Sequence, residues 1–151
     1  MPSATLLDSP VGPLSVTEDE GAITALSWQD SGQGDSALLR QAIAQLRAYF
    51  AGELVTFDLP LQVKGSAFQR AVCDAMLAIP FGETRTYGDL ARDLGAAAQP
   101  VGNACGANPI PVIIPCHRVL GATGLGGFSG KGRVETKVTL LKHEGAASLL
   151  I

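Results

Sequence analysis

The chain has 151 residues, enough for one domain or two small ones sharing a core. Its residues are 46% hydrophobic and only 5% aromatic, the balance of a protein packed on aliphatic side chains. No run approaches the roughly 20 apolar residues of a membrane span, and the N-terminus, which carries Asp8, lacks the basic-then-apolar pattern of an export signal. Three cysteines (Cys73, Cys105, Cys116) and two histidines at no metal-ligand spacing make a poor zinc set, so neither metal nor cofactor is expected. A reducing cytoplasm is the expected setting.

The net charge of −3 conceals an asymmetry. Residues 1–63 hold Arg40 and Arg47 against eight acidic residues, a net of −6, whereas residues 64–151 hold nine basic against six acidic residues, a net of +3. An anionic partner therefore belongs with the second half, and the mildness of its charge argues against tight non-specific DNA binding.

In chain order, Thr5–Leu7, Leu14–Thr17 and Ile23–Trp28 are short apolar or alternating runs separated by turn-forming stretches, which predicts a small antiparallel meander with Trp28 in the core. Ser36 can cap a helix to about Ala51 with Leu39, Ile43, Leu46 and Phe50 on one face, and Val55–Leu61 follows as an extended connector. Ser66-Ala67-Phe68-Gln69 has the form of a capping box, with Phe68, Val72, Met76 and Ile79 as the apolar stripe behind it, ended by Pro80. Thr86–Leu94 reads as a short helix stopped by Gly95. A second begins near Ala97, where Pro100 falls in a first turn that tolerates it, and runs to about Ala107. Two short helices joined by a tight turn form the helix-turn-helix pattern. A last helix over Arg133–His143, with Val134, Val138 and Leu141 inward, closes at Gly145.

The run Asn108-Pro109-Ile110-Pro111-Val112-Ile113-Ile114-Pro115-Cys116-His117-Arg118-Val119 carries the chemistry. A cysteine reacts as its thiolate, which needs a neighbouring base or positive field at neutral pH. His117, directly beside Cys116, is the candidate base. This string, the glycine-rich stretch Gly121–Gly132 and the late His143-Glu144-Gly145 together resemble the O6-alkylguanine-DNA alkyltransferases (methylated-DNA–protein-cysteine methyltransferases). The resemblance spans the chain, specifically in its second half and loosely in its first.

It implies an α+β protein. Residues 1–63 would form an N-terminal ribonuclease-H-like α/β domain with a small antiparallel sheet. Residues 64–151 would form a helical, winged-helix-like domain with the helix-turn-helix and the active-site cysteine. The implied function is DNA repair, in which an alkyl group moves from O6-alkylguanine in double-stranded DNA to Cys116, once per monomeric protein. Thymine alkylated at O4 is left open as a further substrate. In the family the cysteine is coupled to the histidine, here His117, through a water, and Glu144 matches the acidic residue that sets its tautomer. Asn108 joins the helix-turn-helix to the active-site loop. Tyr87 protonates the guanine, which must leave the stack to be reached at all.

The same resemblance places Ala98, Gln99, Pro100, Gly102, Asn103, Cys105 and Arg118 among the residues that meet DNA or substrate. Val119 would offer its carbonyl to the guanine amino group, Phe128 would line the base pocket, and groups near Ser129 would hold the alkylated oxygen. Small residues at Ala98, Gly102 and Gly106 suit a slim helix face entering a minor groove, and equally suit tight helix–helix packing.

Other functions fit less well. An alkyltransferase-like lesion sensor, which binds without repair, has tryptophan in place of the cysteine, so Cys116 argues against it. A transcription regulator would not need the Cys116, His117 and Glu144 set, and nothing resembles the acyl-enzyme signature of a cysteine hydrolase. Two departures from the family stand out: Cys73 where tryptophan is usual, and Gln99 where most members have an arginine that fills the gap left by the flipped base. Gln99 can hydrogen-bond the orphaned partner base, but without charge and with less stacking surface. Gln99→Arg is therefore expected to raise DNA affinity or repair rate, read by titration and single-turnover kinetics on lesion-bearing duplex; unchanged values in both would remove that role.

Overall fold

A computed structural model describes residues 2–30, 32–121 and 134–146. The chain folds as two compact units, Met1–Gln62 and Val63–Ile151. Among the described residues no helix is long and apolar enough to cross a membrane.

The first unit is a three-stranded antiparallel sheet, β1 (Ser3–Leu6), β2 (Leu14–Asp19) and β3 (Ala22–Ser27) in that order, with helix α1 (Ala37–Phe50) against β1 and β2. Alternation buries Ala4, Leu6, Leu14 and Val16 in one core, and a register shift of β2 on β3 at Thr17/Glu18 brings Ile23 in with Leu26. β1 lies two residues earlier than Thr5 at its start, and Leu7 is 62% exposed. Glu20 and Gly21 both have positive φ, 50° and 79°, as a two-residue hairpin turn of the primed type requires. Ser36 caps α1 by accepting from the Leu39 amide. The buried face of α1 is Leu39, Ala42, Ile43, Leu46 and Tyr49, so Tyr49 takes the core place expected for Phe50. Trp28 is only partly buried, its indole N–H donating to the Val11 carbonyl at 3.1 Å. The connector ends by pairing back on β3, where the Gln62 amide donates to the Ile23 carbonyl at 3.0 Å.

The second unit contains α2 (Ala67–Leu77), β4 (Arg85–Thr86), α3 (Tyr87–Leu94), α4 (Ala98–Gly106), a 3-10 turn (Cys116–Arg118), β5 (Val119–Leu120) and α5 (Val134–His143). Ser66 caps α2, but only half of the expected capping box forms. The Gln69 side chain turns away to donate to the Ala104 carbonyl at 2.9 Å, tying α2 to the last turn of α4. Phe68 is 37% exposed, leaving Val72, Met76 and Ile79 as the buried stripe.

α3 and α4 form the helix-turn-helix. Thr86 and Asp89 make a complete capping box at the start of α3, and Gly95, at φ 64°, ends it in the left-handed conformation that glycine adopts without strain. Pro100 sits in the first turn of α4. Thr86 also pairs with Leu120 where β4 and β5 run parallel, so the cap that starts α3 is tied to the chain just beyond the 3-10 turn. Thr86→Ala removes the side-chain half of that cap and is expected to lower stability by about 1 kcal/mol, read as a shift of the denaturant midpoint.

Candidate active site

Asn108 decides the path of the chain between α4 and Cys116. Its Oδ1 accepts from the Ile110 amide at 3.0 Å and its Nδ2 donates to the Ile114 carbonyl at 2.9 Å, so one buried side chain clamps both ends of the strap. Every residue from Ile110 to Val119 is buried. Prolines at 109, 111 and 115 remove backbone donors that so dry a segment would struggle to satisfy. Val112 is held at φ 72°, a conformation costing a β-branched residue on the order of 1–3 kcal/mol. The surrounding structure thus over-determines a strained strap that delivers Cys116 to the start of the 3-10 turn.

Cys116 is 5% exposed. Burial pushes its pKa up to about 11, against the hydrogen bond from Asn108 and the charge of Lys137, which both favour the thiolate. At rest it is therefore a protonated thiol that needs a base.

The candidate base, His117, is held by an ionic cluster. His117 Nε2 lies 2.7 Å from Glu144 Oε2, and Glu144 in turn receives the Arg118 guanidinium as a fork, Nε to Oε1 at 2.8 Å and Nη2 to Oε2 at 3.0 Å. Arg118 Nη1 donates to the Ile79 carbonyl at 2.6 Å, and its guanidinium lies over the Phe81 ring. Burial first, with the positive charges of Arg118 and Lys137, lowers the His117 pKa against the opposing pull of Glu144, which keeps the imidazole neutral. A carboxylate only accepts, so Nε2 carries the proton and Nδ1 keeps its lone pair. Nδ1 is buried without a hydrogen-bond partner among the described residues. Glu144 enters the cluster because α5 ends on it: the Gly145 amide bonds the Lys142 carbonyl at 3.1 Å and the Ala146 amide the Leu141 carbonyl at 3.0 Å, with Gly145 at φ 64°.

Tyr87, the first residue of α3, lies between α4 and α5. A Cβ at Gly102 would sit 3.9 Å from its ring, and the Lys137 ammonium is 5.9 Å from the ring centroid. On α4, Ala98, Gln99, Pro100 and Asn103 face solvent, Gly102 is half-buried, and Gly106 faces open space. Gly106 is therefore not small for the sake of helix packing.

Two family models match the chain: the DNA-binding domain of 6-O-methylguanine DNA methyltransferase over residues 67–146, and its ribonuclease-like domain over residues 4–63. The chain belongs to the 6-O-methylguanine DNA methyltransferase family. Among its relatives, a methylated-DNA–protein-cysteine methyltransferase of Mycobacterium leprae is 41% identical, over 96% of this chain and 95% of the relative. One of Methanosarcina acetivorans is 40% identical, over 93% and 97%. The Mycobacterium tuberculosis protein OGT, solved in complex with DNA, is 44% identical with a TM-score of 0.86, covering 98% of this chain and 96% of that one. The fold is the two-part α+β architecture of this family, with a small antiparallel sheet in the first unit and helices in the second.

Against this family background the structure moves several residues from their expected places. Arg118, expected against DNA, is buried with its guanidinium committed to Glu144 and Ile79, because the chain that presents Cys116 turns it inward. Cys105 is buried in the last turn of α4, where desolvation raises its thiol pKa to about 12, and it offers no surface to a DNA backbone. The α5 stripe also differs. Val134 is 42% exposed and Val138 only partly buried, while Thr136, Lys137, Leu140 and Leu141 form the inward face. Lys137 is thus a buried residue of this face that the sequence reading did not single out; its ammonium donates to the Val119 carbonyl at 2.6 Å, and burial lowers its pKa to about 8. The available signal was its spacing from Glu144, two helical turns along one face. Phe128 and Ser129 lie outside the described residues.

Removing Glu144 would strand a buried guanidinium. Glu144→Ala is expected to cost about 3–5 kcal/mol of stability, read as a large fall in the thermal midpoint with the N-terminal unit's sequence untouched.

Proposed function

We propose that this chain repairs DNA by moving an alkyl group from O6 of guanine to the sulfur of Cys116, irreversibly and once per molecule. The observation that carries this reading is the tautomer fixed at His117. With Nε2–H given to Glu144, the Nδ1 lone pair beside the Cys116 segment can take up the thiol proton, through a bridging water. The resting thiol has too high a pKa to ionise unaided, so base and nucleophile act together.

The chemistry then balances. The Cys116 thiolate attacks the saturated carbon in line, the sulfur–carbon bond forms, the carbon–O6 bond breaks, and its electron pair passes into the guanine ring. Tyr87, whose phenol is a donor at neutral pH, supplies a proton to a ring nitrogen, and the proton released to His117 restores the balance. The thioether has no easy route back, so the protein is consumed. No cofactor is called for.

The partner in this reading is double-stranded DNA bearing O6-alkylguanine, bound by a monomer. The solvent face of α4, lined by Ala98, Gln99, Pro100, Gly102 and Asn103, enters the minor groove, and Gln99 occupies the gap left by the extruded nucleotide. The base in this reading lies with its amino group on the Val119 carbonyl. The three free cysteines suit a reducing cytoplasm.

Intact-mass measurement after incubation with duplex carrying one O6-methylguanine is expected to show a single methyl, mapped to Cys116 and absent in Cys116→Ser. Retained lesion binding without transfer would instead make this chain a sensor.

A further inference from the structure

We infer that Lys137 is a specificity-determining positioning residue, holding the Val119 carbonyl where it reads the 2-amino group of the extruded guanine. The inference rests on the reading above, in which the flipped base meets Tyr87, Cys116 and Val119.

Lys137 is fully buried in the middle of α5, and its Nζ donates to the Val119 carbonyl at 2.6 Å. An ammonium is kept in so dry a place only where its hydrogen bonds are useful or well satisfied. The same Nζ lies 5.9 Å from the Tyr87 ring centroid, and its charge acts on Cys116, Cys105 and His117. One side chain therefore holds the proposed base-reading acceptor, lies near the ring of the proposed proton donor, and contributes positive charge at the nucleophile.

Val119 needs such support. It is the first residue after the 3-10 turn and opens a strand only two residues long, paired at Arg85 and Thr86. A carbonyl oxygen has two lone pairs; Lys137 occupies one and leaves the other for an incoming N–H. Guanine presents an amino group at that edge, whereas the hypoxanthine lesion methylated at the same oxygen has none. A fixed acceptor discriminates the two, because the lesion without the donor leaves it unpaired; a loosely held one does so poorly.

The charge and the hydrogen bond of Lys137 have separable effects. The charge favours the Cys116 thiolate whichever lesion is bound, so losing it slows both equally. The hold on Val119 changes the ratio between lesions.

The test compares single-turnover methyl transfer to Cys116 of the full chain from duplexes carrying O6-methylguanine or O6-methylhypoxanthine. The wild-type protein is expected to favour the guanine lesion roughly five- to tenfold, the worth of one well-held hydrogen bond. Lys137→Met, which fills the same space, is expected to slow both reactions and bring the ratio to about one, and Lys137→Arg to restore it by returning a donor. A Met variant that slows both lesions by the same factor, keeping the ratio, overturns the proposal. Should the Met variant fail to fold, Lys137→Leu, which is smaller and likewise has no donor, is read against the same two outcomes. Absence of transfer from either lesion by the wild-type protein would overturn the alkyltransferase reading itself, which a collapsed ratio in the variant leaves standing.

Discussion

The arrangement depends on one buried carboxylate. Glu144 is shared between the fork of Arg118 and the ring of His117, at 2.7–3.0 Å. Two charged groups removed from water are stable only when their hydrogen bonds are nearly all met. Here the guanidinium reaches the Ile79 carbonyl as well as both carboxylate oxygens. The pairing fixes the end of α5 against the 3-10 turn of Cys116. It also removes the freedom of the imidazole to choose which nitrogen holds its proton. Stability and chemistry therefore rest on the same contact, and changing Glu144 for either purpose alone is not possible.

The strap before Cys116 works in the same sense through backbone. Asn108 clamps Ile110 and Ile114, and prolines reduce the number of donors that need partners in a dry interior. Because Asn108 also follows directly on α4, the helix proposed to meet DNA and Cys116 are separated by one short, buried connection. Gln69 anchors the other side of α4 through the Ala104 carbonyl. A lesion reaching α4 is thereby referred to a fixed position of the thiol, as an in-line displacement requires.

Much of this was legible in the sequence because it is local. Ser36 and Ser66 cap the helices that they precede, and Gly95 and Gly145 end theirs, whereas Glu144 was joined to Cys116 and His117 only through the family resemblance. What local patterns missed depends on partners far away in the chain. Arg118 and Glu144 are 26 residues apart, and Lys137 and Val119 are 18 apart. Periodicity assigns a lysine or an arginine to solvent because its charge is costly inside. That default fails where another segment supplies the acceptor, as the Val119 carbonyl does for Lys137. Tyr49 displaced Phe50, and Phe68 fell to the surface, for a lesser reason: a short helix offers several apolar stripes, and only packing selects one.

A high pKa at the nucleophile looks at first like a defect. Enzymes that reuse a cysteine often keep it ionised. A protein that spends its cysteine on a single event has the opposite requirement, because any electrophile that reached a standing thiolate would consume the molecule. Burial holds the Cys116 thiol protonated, with a pKa of about 11, while the neutral His117 waits with its Nδ1 lone pair available. Lys137 and Asn108 lower the cost of ionisation without removing it. Activation is then coupled to the moment at which a base presents its alkylated oxygen in line. The dry, ion-clamped interior thus serves the reaction and also protects a reagent that can be used only once.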